Sequence, residues 1–269
     1  MRGRLALAFG GTLLALLVLA ALAAPWLAPH HPYAQDLAGG LSLPGPEHPF
    51  GQDKLGRDIL SRVLHGGRVS LLVGFTAVLV SLLVGTAVGG LAGTAGGAWD
   101  EGLMRLADVF QAFPGILLAI ALMSVLDPRL SNVVVSLAAF GWVGYARLVR
   151  AQVISLRERE FVTAARAAGA KPRRIFARHL LANLISPVIV EASFGAAGAI
   201  VAESGLSFLG LGIQPPEPSW GAMLAEGRDF LLIAPHLTLF PGVAIALTVM
   251  SLNILGDGLR DWLDPTGRR

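Results

Sequence analysis

Six stretches of this chain are strongly apolar, and a chain so patterned can fold only as a bundle of helices in a bilayer. They cover residues 5–28, 69–94, 113–126, 133–149, 187–213 and 235–255. A helix needs about 20 mostly apolar residues to cross the hydrocarbon core. The third stretch is short and follows Pro114, so its helix is expected to reach back towards Val109. Charged residues make up 14% of the chain, against roughly 25% in soluble domains. The polar sequence left between the runs is too little for an independent globular domain. The expected fold class is therefore an all-α polytopic membrane protein with six transmembrane helices. Its expected parts are a first anchor helix (1–28), an extracytoplasmic loop with an amphipathic segment (29–68), a five-helix core (69–258) and a cytoplasmic tail (259–269).

Lys and Arg give the orientation. With the amino terminus inside, fifteen of the 21 basic residues fall on inside segments and six outside, the asymmetry of the positive-inside rule. Both termini and the arginine-rich segment from Arg147 to Asn183 are then cytoplasmic. The basic residues lie beside apolar spans, which explains the net charge of +3 without a nucleic-acid partner. The first span, with Arg2 and Arg4 ahead of it and Ala21-Leu22-Ala23-Ala24 at its end, also has features of a signal peptide. Its apolar run exceeds the usual 7 to 15 residues of such a signal, so an uncleaved anchor is expected. Gly85, Gly89, Gly90 and Gly93 in the second span, and Gly195, Ala196, Gly198 and Ala199 in the fifth, are small residues spaced for close helix packing.

Little in the chain supports chemistry of its own. A phosphate-binding loop requires G-x-x-x-x-G-K-[ST], and the only lysines, Lys54 and Lys171, follow Asp53 and Ala170. The glycines of 205–212 lack the strand before and helix after of a dinucleotide site. No histidine stands in H-E-x-x-H, the spacing that puts two imidazoles on one helical face for zinc. No His, Asp or Glu cluster has metal-ligand spacing either, so no metal, cofactor or catalytic residue is assigned. Ionisable groups within spans are costly and often functional. Here they are Glu191 and Glu203, with Glu203 read as the more central and, with Ser204, as a candidate for a translocation path. A hydrogen-bonded place at a helix interface is the equal alternative for Glu203.

The Arg147 to Asn183 segment is too charged for lipid, yet it is patterned. From Glu158 to Ala168 a helix would align Phe161, Ala164, Ala165 and Ala168, and Gly169 suits its end. Pro172 suits the first turn of a second short helix carrying Ile175, Phe176, His179 and Leu180 on one face. Short helices of this kind need a partner surface, either a protein or the headgroups of the inner leaflet.

Thr163-Ala164-Ala165, Gly169, His179-Leu180 and Asn183, followed by Pro187, resemble the EAA coupling loop of ABC importer permeases. Further motifs resemble one branch, the second permease subunit of the dipeptide/oligopeptide/nickel family. They are His48-Pro49-Phe50-Gly51 through Asp53, Leu55-Gly56-Arg57-Asp58 and Ser61-Arg62, then Leu206 through Gly212 with Pro215-Pro216, Pro218-Ser219-Trp220-Gly221 and Met223-Leu224. Gly256-Asp257, Leu259-Arg260-Asp261 and Leu263-Asp264-Pro265 complete the set. In order, they span nearly the whole chain. The resemblance implies the type I ABC importer permease fold, a permease partner forming a heterodimer, two ATP-binding subunits that bind the ATP this chain does not, an extracytoplasmic substrate-binding protein, and a bacterial or archaeal cytoplasmic membrane. It also implies that the loop 150–186 couples to the ATPase through Glu160, Phe161, Thr163, Ala164, Ala165, Ala168, Gly169, Ile175, Phe176 and His179. Thr163 stands where the family usually has Glu, and Ala182 where it has Pro; Glu160, one turn earlier, could replace the missing acid. Peptides are the expected substrate, with nickel chelates and oligosaccharides as alternatives. The loop 29–67 is expected to support the fold, with Ile59, Leu60, Val63 and Leu64 on a surface helix and Arg57 and Asp58 capping or pairing nearby. Trp220 is expected as an interfacial anchor.

Overall fold

A computed structural model describes residues 2–263; Asp264, Pro265, Arg268 and Arg269 lie outside the described residues. The chain forms eleven α-helices among those residues: α1 (Arg2–Leu22), α2 (Ala24–Leu27), α3 (Ile59–Ala95), α4 (Gly97–Gln111), α5 (Gly115–Met123), α6 (Leu130–Arg157), α7 (Glu160–Ala167), α8 (Pro172–Ile175), α9 (Leu181–Phe208), α10 (Trp220–Gly227) and α11 (His236–Leu263). Five helical stretches are long and apolar enough to cross a membrane. A sixth crossing is supplied if α4 and α5, bent by 77° to one another, count as one span. The expected third span is thus a broken one. Pro114 cannot continue the helix from Gln111, because it lacks an N–H and its ring crowds the preceding turn, so the chain turns and restarts at Gly115.

Small residues set the packing. α3 and α6 run parallel, and along their seam a side chain at Gly85 would meet Tyr145 and Trp142, one at Gly89 the carbonyl of Ala146, and one at Gly93 Val153. Successive glycines four apart lie on one helix stripe, so the two helices stay in close contact for about two turns. α1 and α11 approach in the same way but antiparallel, at Gly10 against Ser251 and Leu255 and at Gly258 against Leu7. Both ends of the described chain therefore lie at the end of the bundle that also carries α7. Arg150 holds Asp100 with bonds of 2.5 and 2.7 Å, and Arg147 reaches Asp108 at 2.6 Å, tethering α4 to α6.

At the opposite end the loop after α2 is knitted to the bundle rather than laid on a membrane surface. The expected surface helix does not stand apart: Ile59 begins α3 and is buried. Asp58 caps this helix, accepting from the Ser61 amide at 2.7 Å. Asp53 accepts from Arg57 Nε at 2.6 Å and Arg62 Nη1 at 2.7 Å, and both arginines also reach Glu226 of α10, at 2.6 and 3.2 Å. Burial pushes the Glu226 carboxyl above its usual range, while Arg57 pulls it back. Trp220 is likewise no interfacial anchor. It is 3% exposed and its indole N–H donates to the Val63 carbonyl at 2.9 Å.

Candidate functional site

Two features stand out, one at the α7 end of the bundle and one within it. α7 is eight residues long and ends as its sequence demands. Gly169 takes a φ of +80°, its amide donates to the Arg166 carbonyl, and the Ala170 amide donates to Ala165. These two bonds are the Schellman arrangement that stops a helix at a left-handed glycine. The same pair of bonds ends α9 at Gly210, from Gly210 to Ser207 and from Leu211 to Leu206, so the glycine-rich stretch 205–212 is an ordered helix stop.

α7 has two faces. Val162 is fully buried and Ala165 packs beside it, against a cluster of Val149, Val153, Ile175, Leu180, Leu184 and Val188. The other face turns outward and carries Phe161 at 41% exposure with Ala164 and Ala168, flanked by Glu160 and Thr163. The expected stripe is therefore divided: Phe161, Ala164 and Ala168 look out, whereas Ala165 looks in. A second short helix with its own outward apolar face is not found. α8 passes through a π-helical turn, Phe176–Leu180, directly into α9, so one helical stretch runs Arg173–Phe208. On it Ile175 faces the core, Phe176 packs where a side chain at Gly90 would stand, and His179 is half-buried with its carbonyl accepting from Asn183 Nδ2 at 2.7 Å. The expectation failed because Pro172 starts a helix without forcing it to stop before the apolar run.

The second feature is a cavity of about 260 Å³ among α3, α6 and α9, walled by Ser81, Leu137, Phe140, Tyr145, Glu191 and Gly195 with further small residues. Its wall is mostly apolar with few polar groups, as small-molecule sites are. The long helix places Glu191 midway along its length, exposed on the cavity side, whereas Glu203 stands near the far end. Tyr145 is 5% exposed, lines the same cavity and has no hydrogen-bond partner for its hydroxyl. Glu203 and Ser204 do not line it. Glu203 is fully buried and accepts from Ser207 at 2.8 Å and Ser70 at 3.0 Å, with Ser204 at 3.5 Å, so the interface reading is the one its surroundings match. Glu191 is thus the more central of the two along this helix and Glu203 stands towards its loop end, because the helix starts well before the apolar run, at Arg173.

One grouping that spacing could not reveal brings His30, His48 and Asp58 together at the loop end, their ligand atoms within 4.8 Å of one another. The residues come from three separated segments, so no local pattern marks them.

Comparison with known proteins adds a family. Residues 85–269 match the family described as "Binding-protein-dependent transport system inner membrane component", and residues 2–44 match "N-terminal TM domain of oligopeptide transport permease C". The chain is 46% identical over 248 residues to the dipeptide transport system permease protein DppC of Alkalihalophilus pseudofirmus, covering 92% of this chain and 82% of that one. It is 46% identical over 254 residues to the glutathione transport system permease protein GsiD of Escherichia coli, covering 93% and 83%. In fold it is similar to the MetNI methionine ABC transporter in its inward-facing conformations, with a TM-score of 0.61 at 17% identity over 75% of this chain and 96% of that one.

Proposed function

The chain belongs to the family of binding-protein-dependent transport system inner membrane components, and from that membership we propose how this ABC importer permease does its work. It forms half of a translocation path for di- or oligopeptides, a second permease subunit supplying the other half. The peptide substrate is supported by what its relatives are named for, dipeptide and glutathione transport. Those names favour peptides over nickel chelates or oligosaccharides.

The single observation that carries the coupling reading is the outward face of α7. Phe161, Ala164 and Ala168 form an apolar strip on a short helix whose opposite face is anchored in the bundle core. An exposed apolar strip of this kind on a rigid mount suits a protein partner, and the partner proposed is the ATP-binding subunit. Closure of the ATPase dimer would push on α7. Val162 and Ala165 would pass that push to the core cluster of α6 and α9, and so to two walls of the cavity. A rigid-body transmission of this sort needs two packed arrangements, inward and outward open. In this reading the α7 end is cytoplasmic, both termini with it, and the loop end receives substrate from an external binding protein. ATP is held by the partner subunits.

Co-purification tests the docking. Phe161→Asp and Ala164→Asp each place a charge on the exposed strip without touching Val162 or Ala165. Expressed with their companion subunits, they should lose the ATP-binding subunits while still inserting and melting as the parent does. Retention of those subunits by both variants would refute the docking face.

A further inference from the structure

We propose that His30, His48 and Asp58 form a transition-metal site at the loop end of the bundle, and that Zn²⁺ is the ion it suits best. His48 Nδ1 lies 2.9 Å from Asp58 Oδ1, and His30 Nδ1 lies 3.8 Å from the same oxygen. The two imidazoles stack with centroids 4.4 Å apart at 30°. One carboxylate oxygen explains one of these rings as a hydrogen-bond partner. It does not explain the second, whose Nδ1 converges on the same point beyond hydrogen-bond distance. A cation among the three ligand atoms accounts for both rings at once.

The surroundings of Asp58 fit a ligand held in place. Its Oδ2 accepts from both the amide and the hydroxyl of Ser61, each at 2.7 Å, which turns Oδ1 to the imidazoles, with His48 Nδ1 at 2.9 Å. The Ser61 hydroxyl also accepts from the His30 amide at 3.1 Å. One buried serine therefore positions the carboxylate and the backbone of one histidine, the arrangement by which outer groups orient metal ligands. Asp58 is buried, whereas His48 and His30 are 22% and 40% exposed on their side chains, so the ligand set opens to solvent on the histidine side.

Two imidazole nitrogens and one carboxylate oxygen form a set that zinc takes, with a fourth position left for water. Hard cations such as Mg²⁺ and Ca²⁺ demand oxygen ligands. Ligand bonds of about 2.0–2.1 Å in a tetrahedron put ligand atoms about 3.3 Å apart, so separations that now run from 2.9 Å up to at most 4.8 Å need change by no more than about 1.5 Å. The ion would clasp the segment after α2, the middle of the loop and the N-cap of α3. It would thereby stiffen the loop end independently of what the chain transports.

The test uses the full chain in detergent, carrying an affinity tag without histidines and stripped with a chelator. Titrated with Zn²⁺, it should bind one ion per chain at micromolar concentration or below, with no response to Mg²⁺. Substituted with Co²⁺, it should show the visible absorption of a tetrahedral site with nitrogen ligands. His30→Ala and His48→Ala should each weaken Zn²⁺ binding at least tenfold, and Ser61→Ala should weaken it about tenfold. Asp58→Asn, which retains a capping side chain, should lose the ion and keep the fold. His31→Ala, on the neighbouring exposed histidine, should change nothing. Failure of the parent chain to bind Zn²⁺, or a stoichiometry and Co²⁺ spectrum unchanged in the His30→Ala/His48→Ala double variant, would overturn the site.

Discussion

Asp53 shows how much one short side chain can hold. It accepts from the backbone of Leu55 and Arg57 at 2.8 and 3.0 Å and from two buried guanidiniums, so its removal leaves two nearly buried arginines sharing Glu226 as their remaining charge partner. Breaking a buried pair on one side costs about 3–5 kcal/mol, and Asp53→Ala should lower stability by that order, measured as chelator-free thermal unfolding in detergent. Glu203 makes a parallel case inside the bundle. Its carboxylate is shared by Ser70 of α3 and Ser207 of α9, and Glu203→Ala would leave those hydroxyls buried without it. A loss of about 1–3 kcal/mol is expected, with Glu203→Gln losing less because the amide oxygen still accepts. If Glu203→Ala melts like the parent but transports poorly, the interface role is wrong and a path role returns.

Helix contacts here are governed by what is missing from a glycine. On the α3–α6 seam a methyl at Gly89 would fall on the Ala146 backbone, whereas at Gly102 of α4 it would meet nothing within 4 Å. Gly89→Val should therefore force the helices apart, lowering folded yield and melting temperature, while Gly102→Ala should be neutral or slightly stabilising through helix propensity. Equal behaviour of the two would show that the seam does not depend on close approach. At α7 the glycine acts through its backbone instead. Gly169 has open space around it but a φ of +80°, so Gly169→Ala strains the helix stop by about 1 kcal/mol. Under the coupling reading, transport should fall while ATP hydrolysis by the assembled complex is retained, measured together on reconstituted vesicles.

For the whole molecule, the proposed coupling requires that a push at the α7 end reach a cavity in the middle. α6 and α9 contribute both to the core cluster under α7 and to the cavity wall, so the two sites share helices. Glu191 is the acidic side chain on that wall among the described residues, beside the unpaired hydroxyl of Tyr145. A carboxylate facing a mostly apolar cavity favours a cationic group such as a peptide amino terminus. Glu191→Lys should depress uptake of peptides with free amino termini more than that of amino-acetylated ones, with the subunits still assembled. An equal loss for both would mean that Glu191 does not read charge.

Much of this was written locally. Apolar runs of bilayer length, the glycine stripe of α3, the stop at Gly169 and the cap at Asp58 follow from residues near one another in the chain. So does the order of motifs that resembles the family. Periodicity reported which residues share a stripe on α7, but not which half of the stripe faces the bundle, since that depends on where α6 and α9 lie. The run from α8 into α9 and the start of α3 at Ile59 are not legible locally, because polar residues at a helix end look like loop until a tertiary partner covers them. The places of Glu191 and Glu203 along that helix depend on the same early start at Arg173. The meeting of His30, His48 and Asp58 has no local signal for a simpler reason: it joins three places spread along the one long loop between α2 and α3, and only the folding of that loop against α3 creates the contact.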